Sequence, residues 1–581
     1  MPVTVAGFNP AWRPHTRLPI RPLPAPPLPA LPVVTSVRRG PAAEPPPCST
    51  PVALFDPPKS PLPQSARQAT LPSVEGRIAV IDIGSNSGRV VIVQPETGGH
   101  LEIIDEQSAP LRLALEVSRS GELSPAAIEW TLHALKDFTA VARGAGAVRT
   151  AAVATAAVRR ATNGEAFVQR LRDELDLDVT LIDAQDEARL AFLGAVYGLP
   201  AEDGFFVDIG GGSLQIVHFA NRQPLGAWSI PSGALVLAER LLTSDPPPAD
   251  ERKAAADHVM RALAEARVPP PDGSAQTLVG TGGTIRNLAK IDRRRRAYPI
   301  ARLHGYGLHR RSLQRIVAGL ATQPLRDRAQ TPGLNPARAD SIVAGGIALN
   351  AVMRYLHTDL LTVSGQGLRE GIARGAVFAH LPSAQAVREA SVEALCRRFA
   401  DADHERGRRR AQAAKILLDH PLLDIPPPIA EAVLLGARLL DIGSVIDFYN
   451  RHKLTAEIVL RTDLNGFSHR DLARLAAVIR LAEKPGLSAS TYRPLLDLRD
   501  DEILERAAII LALADESVRR TPPAQPVQLD CWSTGPTVHL RFPAGGNWRP
   551  GKIGPRFLHA FGRALVLEEP LDAASREGPE A

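Results

Sequence analysis

The sequence predicts an α/β fold made of two related halves, followed by an all-helical domain and a small α+β end piece. Three observations carry this reading. Apolar strands alternate with helical patterns from Ile78 to about His380. When Asp208 is set over Asp82, DIGGGSLQIVHF falls on DIGSNSGRVVIV, two apolar strands around a turn of small residues in each case. Past His380 the alternation stops, and helical periodicity runs to about residue 519.

In chain order, residues 1–72 hold 20 of the 52 prolines, which removes backbone donors and predicts a disordered or extended leader. IAVIDIGSNSGRVVIVQ, from Ile78, reads as strand, turn and strand; LEIIDEQSAPLRLAL (101–115) adds a strand before a helix that ends near Ala142. VRTAAVATAAVRRA (148–161) is a strand with a basic turn, NGEAFVQRLRDEL (163–175) a helix, VTLID (179–183) a strand and DEARLAFLGAVYG (186–198) a helix. Residues 73–200 are thus expected as a first lobe, completed by about 370–385, and 201–369 as a second. Within the second, TLVGTGGTIRNLAKI (277–291) and LLTVSGQGLREGIARGAVF (360–378) again place glycines between strand and helix. Four such junctions are expected to converge in a cleft between the lobes. Residues 386–519 form the helical domain, and 520–581 the α+β end piece.

Composition narrows the function classes. A surplus of 68 Lys and Arg over 62 Asp and Glu gives +6 and a pI near 9.4, which permits a polyanionic partner without demanding one. Three scattered cysteines supply neither a disulfide framework nor a thiolate metal cluster, so a reducing compartment is expected. No secretory signal pattern or long apolar run occurs, and the expectation is a cytoplasmic protein without membrane partners. Aromatic residues make up only 4%, which argues against nucleic acid as the principal substrate.

The repeated turns carry the chemistry. Gly84, Ser85, Asn86 and Ser87 in one, and Gly210, Gly211, Gly212 and Ser213 in the other, let backbone N–H groups approach an anion unobstructed. Asp82 and Asp208 end their strands beside these nests, where carboxylates can meet a hard divalent cation whose other ligands are phosphate oxygens. Neither segment has the GxxxxGK[ST] pattern, and no GxGxxG has an acid at ribose-reading spacing; a P-loop enzyme or an organic dinucleotide cofactor is disfavoured. A third glycine pair, Gly282 and Gly283, opens a helix carrying Arg286; Arg89, Arg112 and Arg159 lie in or near the same segments. The run of four arginines at 293–296 reads as a solvated face or as a guide for a polyanion.

IAVIDIGSNSGRVVIV, ATAAVRRATNGEAF, DEARLAF, FVDIGGGSLQIV, GTGGTIRNLAKI and TVSGQGLREG together resemble the exopolyphosphatase and guanosine pentaphosphate phosphohydrolase family, within the actin, Hsp70 and sugar-kinase superfamily. The resemblance spans 78 to about 380. It implies duplicated actin-like (ribonuclease H-like) lobes, a phosphate clasped between the two loops, Mg2+ or another divalent cation on Asp82 and Asp208, and hydrolysis of a terminal phosphate. It assigns general-base catalysis to Glu187, the second acid of DEAR, and phosphate contacts to the glycine loops and to Arg89, Arg112, Arg159 and Arg286. The implied substrate is inorganic polyphosphate, with guanosine pentaphosphate as the alternative; a kinase direction and a polyphosphate-binding protein of weakened activity are lesser readings. The resemblance also implies a homodimer. Gln215 stands where the family has a glutamate, and glutamine keeps the size while losing a charge. That exchange, inherited or introduced, makes full activity the least secure expectation.

Residues 386–519 resemble the HD-like helical domain of longer family members. His404, Asp441 and Asp515 match metal-ligand positions, but Leu440 replaces the histidine before Asp441. A functional second metal site is therefore not expected, although His452 and His469 are candidate substitutes. Basic residues at 406, 408, 409, 410 and 415 are expected to extend a path for polyphosphate.

Overall fold

The computed structural model describes residues 52–53, 76–96, 99–270, 277–375, 380–483, 489–523, 525–542 and 551–568. The expected leader lies outside these residues, apart from Val52–Ala53 (β1).

The first sheet is assembled from β2 (Arg77–Ile83), β3 (Ser87–Pro95), β4 (Leu101–Pro110), β5 (Ala147–Ala154) and β6 (Val179–Leu181), in the order β4-β3-β2-β5-β6. The second uses β7 (Gly204–Ile209), β8 (Leu214–Ala220), β9 (Gln223–Ile230), β10 (Thr277–Thr281), β11 (Tyr306–His309) and β12 (Leu360–Val363). Its order is β1-β9-β8-β7-β10-β12-β11. Without the two edge strands β1 and β11, it repeats the first sheet strand for strand, so the duplication read from two motifs extends to whole sheets. The registers agree too: Asp82 pairs with Arg89 across the first hairpin, and Asp208 with Gln215 across the second.

Both faces of each sheet are covered, which is why the central strands are continuous apolar runs rather than alternating ones. In β2, Ala79, Ile81 and Ile83 pack into one core, with Phe138 and Leu171. Ile78 and Val80 face the other way and meet Ala373, on the helix Leu368–Gly375. That helix follows β12, so the chain returns to pack against the first sheet. In the second sheet Val207 and Ile209 join the large core of the second lobe, while Phe206 packs with Phe192 of the helix Ala184–Tyr197. Helix Ala184–Tyr197 and helix Leu368–Gly375 pack closely on each other between the two sheets.

Six longer helices, from Ala384–Arg398 to Asp500–Arg519, make the helical domain. Its core also takes in Val538, Leu540 and Phe557, from the sheet of β13 (Asp530–Thr534), β14 (Thr537–Arg541) and β15 (Ala564–Glu568) and its helix Ile553–Phe561. The end piece and the helices therefore share one apolar core. Among the described residues, no helix is long and apolar enough to cross a membrane.

Candidate active site

The four glycine junctions converge on one cleft, lined by 84–87, 209–213, 281–283, Arg286 and 367–370, together with Asp82, Arg89, Thr155, Glu187, Asp208 and Arg338. The two hairpin loops face each other: a β-carbon on Gly211 would stand 3.4 Å from the Asn86 Cβ, and one on Gly212 3.6 Å from the Ser85 Oγ. Four of the loop carbonyls, which would repel an anion, are engaged within their own lobes. Ser85 and Asn86 carbonyls accept from Ala114, Leu111 and Arg112; Gly210 and Gly211 carbonyls accept from Ala234 and Leu235. This leaves a concavity of small residues suited to phosphoryl oxygens.

The helix Gly283–Arg295 starts at the cleft, with Gly282 at φ 97° before it. A β-carbon on Gly282 would come within 2.4 Å of the Asp208 Oδ1, and one on Gly283 within 2.1 Å of the Arg338 Cζ. Both positions need glycine for different reasons: the first for its backbone and a carboxylate, the second so that a guanidinium can rest on the helix end. Arg286, one turn along, donates from Nη1 to the Gly365 carbonyl at 2.9 Å.

Glu187 lies in the first turn of the helix Ala184–Tyr197, whose N-cap Asp183 accepts from the Asp186 N–H at 2.7 Å. Burial raises its carboxyl to about 7, against the pull of Arg159 and with added repulsion from Asp82. Arg159 holds it in place, donating to Glu187 Oε2 at 3.3 Å and to the Ile182 carbonyl at 2.5 Å. Burial likewise raises Asp82 to about 6 and raises Asp208, although arginines oppose both shifts. The cations pay the opposite desolvation: Arg286 is lowered to about 9 by burial and then by Arg89 and Arg369, and Arg338 to about 10 by burial and Arg89. A cleft with four mutually repelling arginines around buried carboxylates is arranged to receive negative charge.

The Asp82 Oδ1 is buried and receives no hydrogen bond. A carboxylate oxygen left unpaired at that depth suits a hard cation, so the residues present fit a divalent metal on Asp82 and Asp208. Among the described residues, no group of three or more His, Cys, Asp or Glu side chains could hold a metal ion, so further oxygen ligands would have to come from phosphate and water.

Three expected site residues are placed otherwise. Arg112 does not line the cleft: it adopts left-handed backbone (φ 57°) and pairs with Asp340 of the opposite lobe, in the loop that carries Arg338. Arg159 reaches Glu187 and does not line the cleft. Gln215 is buried beside Asp208 as its cross-strand partner, at the position matched by Arg89 in the first hairpin, but only the longer Arg89 lines the cleft. The sequence reading missed Arg338, Arg369, Glu370 and Thr155. Arg369 and Glu370 follow the glycines of GQGLREG, a signal available in the sequence; Arg338 had none, because a loop distant in the chain delivers it.

The helical domain corrects one further expectation. Arg409 and Arg410 do not extend a basic path; both are buried. Arg409 donates to carbonyls at 521, 522 and 525. Arg410 bonds Asp441 Oδ2 at 2.8 Å and Asp515 Oδ1 at 2.6 Å, and Arg451 bonds Asp441 Oδ1 at 2.9 Å and Asp515 Oδ2 at 2.5 Å. Two guanidiniums thus occupy all four oxygens of the carboxylates that the resemblance offered to a metal. Burial opposes the charge on Asp515, but Arg410 and Arg451 hold its carboxyl below the ordinary range. His404 is turned to the Phe399 carbonyl, and His469 bonds Tyr298 and the His304 carbonyl. Arg406, Arg408 and Lys415 pair with acids on their own helix turn or its cap.

Comparison with known proteins agrees with this layout. Residues 91–380 match the Ppx/GppA phosphatase family, and 387–547 match Ppx/GppA phosphatase, domain III. Exopolyphosphatase 1 of Mycobacterium tuberculosis is 31% identical over 299 residues, 51% of this chain and 87% of that protein. Exopolyphosphatase 2 of the same organism is 32% identical over 311 residues, 51% and 97% of the two chains. A solved Ppx/GppA family member from Aquifex aeolicus shares 32% identity with a TM-score of 0.46, covering 52% of this chain and 97% of its own. Duplicated lobes around one cleft, both family matches and relatives aligned over most of their length lead to one conclusion: this chain belongs to the Ppx/GppA phosphatase family.

Proposed function

We propose that the chain is an exopolyphosphatase that removes the terminal phosphate of inorganic polyphosphate by attack of water. The observation that carries this reading is Glu187, a largely buried carboxyl raised to about 7 beside two facing glycine-rich nests. At neutral pH such a group is partly ionised and can take a proton, and its driving force for doing so exceeds that of an ordinary carboxylate.

In this reading the terminal phosphate sits between 84–87 and 210–213, with Arg89, Arg286, Arg338 and Arg369 offsetting its charge. Glu187, oriented by Arg159, accepts the proton of a water molecule as its oxygen bonds to the terminal phosphorus. The bridging P–O bond breaks, and its electrons leave with the shortened chain; the products are orthophosphate and a polymer one unit shorter. A divalent cation on Asp82 and Asp208 would supply a positive charge for phosphoryl oxygens to lean on. Donors fixed in advance lower the barrier because they need not reorganise as charge develops. No aromatic side chain lines the cleft among the described residues, which favours phosphate without a base over guanosine pentaphosphate.

The test measures phosphate released from long-chain polyphosphate and from guanosine pentaphosphate, with and without Mg2+, by this chain and by Q215E. Release from polyphosphate that depends on the cation is expected, and Q215E should need several-fold less of it, since it restores a carboxylate beside Asp208. Failure of both proteins on both substrates, with polyphosphate still bound, would replace hydrolysis by a binding role.

A further inference from the structure

The helix Ala184–Tyr197, which carries Glu187 in its first turn, ends at Gly198, where three parts of the chain meet. The Gly198 carbonyl accepts from the Gly466 N–H of the helical domain at 2.8 Å. Beside it Asn465, 1% exposed, donates its N–H to the Ser391 Oγ and sets its Nδ2 3.4 Å from the His100 Nδ1 of the first lobe. His304 comes from the second lobe. Its Nδ1 accepts from the Gly365 N–H, so the ring proton sits on Nε2; burial and Arg302 keep the imidazole neutral, pushing it down to about 3. A β-carbon on Gly198 would stand 2.4 Å from the Asn465 Oδ1 and 2.5 Å from the His304 Nε2. At φ −82° any residue fits the Gly198 backbone, so the missing side chain serves these contacts. The Asn465 Oδ1 is buried without a hydrogen bond, a cost that an apolar residue filling the same space would avoid.

Near its middle the same helix touches Leu368–Gly375 backbone to backbone. A β-carbon on Gly194 would come within 1.9 Å of the Gly367 carbonyl oxygen, and one on Gly371 within 1.7 Å of the Leu190 carbonyl oxygen. At about 1.5 Å per residue, Glu187 lies about 8 Å to one side of this contact and Gly198 about 9 Å to the other. With no side chains between the two backbones, little can absorb a tilt, and movement of the Gly198 end reappears at Glu187. Arg302 ties the docking loop down, donating to the Thr462 and Leu464 carbonyls at 3.1 and 3.3 Å.

We infer that Asn465 is a positioning residue: seated on Gly198 and against His304, it lets the helical domain set the tilt of the helix that carries Glu187. The domain whose metal-ligand positions are taken by arginines then acts on the cleft as a brace. Its effect on turnover rests on the exopolyphosphatase reading; the contact itself does not.

The experiment compares N465A and G198A with D515N, which breaks the arginine–aspartate cluster of the helical domain instead. N465A should lower kcat for polyphosphate about ten- to a hundredfold, the effect of a slight misplacement, while KM stays within about threefold. The acid limb of kcat/KM, set by Glu187 near 7, should move downward as the carboxyl gains water. G198A should act in the same direction although alanine favours a helix, because its β-carbon wedges the contact apart. D515N, assayed where it is folded, should keep kcat within about twofold and leave the limb in place. Amide hydrogen exchange reads the contact without turnover: N465A and G198A should exchange faster across 184–197, and D515N should not. Unchanged exchange in N465A and G198A overturns the brace. Faster exchange with kcat and limb unmoved, or an equal loss of kcat in D515N, overturns it as well. A parent that cleaves no polyphosphate, with exchange across 184–197 still dependent on Asn465, refutes the hydrolysis reading and leaves the brace standing.

Discussion

Two pairs of aspartates, one partly buried in the cleft and one fully buried in the helical domain, sit in this chain under opposite regimes. In the cleft, Asp82 and Asp208 are pushed upward by burial, and one Asp82 oxygen receives no hydrogen bond. In the helical domain, Asp441 and Asp515 have all four oxygens bonded by Arg410 and Arg451, and Asp515 is held low. Both pairs stand at positions where the family resemblance implies metal ligands. The first is kept under-satisfied, at a cost in stability, and so keeps an appetite for positive charge; the second has spent its appetite on the protein's own arginines. Buried carboxylates mark a site only when something in them is left over.

The largest effect that would break this contrast lies beside the first pair. E187Q should lower kcat for phosphate release by about 10²–10⁴-fold, the usual contribution of a positioned general base. In the parent, kcat/KM should rise with pH through about 7 as Glu187 loses its proton, and E187Q should lose that limb of the profile. A variant with parental kcat would remove Glu187 from the chemistry.

The second pair should respond through folding. D515N leaves two buried guanidiniums with one carboxylate, and breaking such a pair typically costs about 3–5 kcal/mol. Urea unfolding should report that loss, and divalent cations should not restore it. Cation-dependent rescue would mean that the helical site binds metal after all.

Acid titration with chelator present should separate the pairs by sign. Asp82 has a folded value near 6, above its ordinary value, so the folded state binds the extra proton and its destabilisation fades as pH falls from 6 towards 4. Asp515 is depressed in the folded state; its contribution is present above the ordinary carboxylate value and is lost only as pH falls below it. Hydrogen exchange should therefore show the cleft strands tightening between pH 6 and 4, with the helical domain loosening only below that window. Loosening of both together would dissolve the distinction.

The smallest expected effect belongs to the contact across the lobes. Arg112 and Asp340 are partly exposed, so their pair is worth about 1 kcal/mol at most. R112A should raise KM by up to about fivefold, through looser placement of Arg338, with kcat little changed. A collapse of kcat would return Arg112 to direct phosphate contact.

Much of the cleft was legible because its parts are local. An aspartate one residue before a strand's end, with four small residues just beyond, makes a nest within its own segment, so DIGSNS and DIGGGS could be read without knowing the fold. What escaped depends on long-range packing. Arg338 enters from a loop more than fifty residues beyond the helix end on which it rests, and spacing cannot foresee that. Arg410 was misread for another reason: a basic run suggested solvent, yet Ala413, Ala414 and Leu417 continue its helix face into the core. The apolar period was present in the sequence, and with two acids at Asp441 and Asp515 lacking a histidine partner it pointed to a buried arginine.

The matched registers of the hairpins have a consequence for how this cleft can change. Had the halves been two identical subunits, any substitution would appear on both walls, and a cation opposite Asp82 would require one opposite Asp208. With both copies in one chain, the walls are free to diverge: Arg89 stands on one side, and a neutral glutamine occupies the equivalent place on the other. The asymmetry gives a bound polymer an inside and an outside, a direction that a two-fold symmetric pocket could not provide.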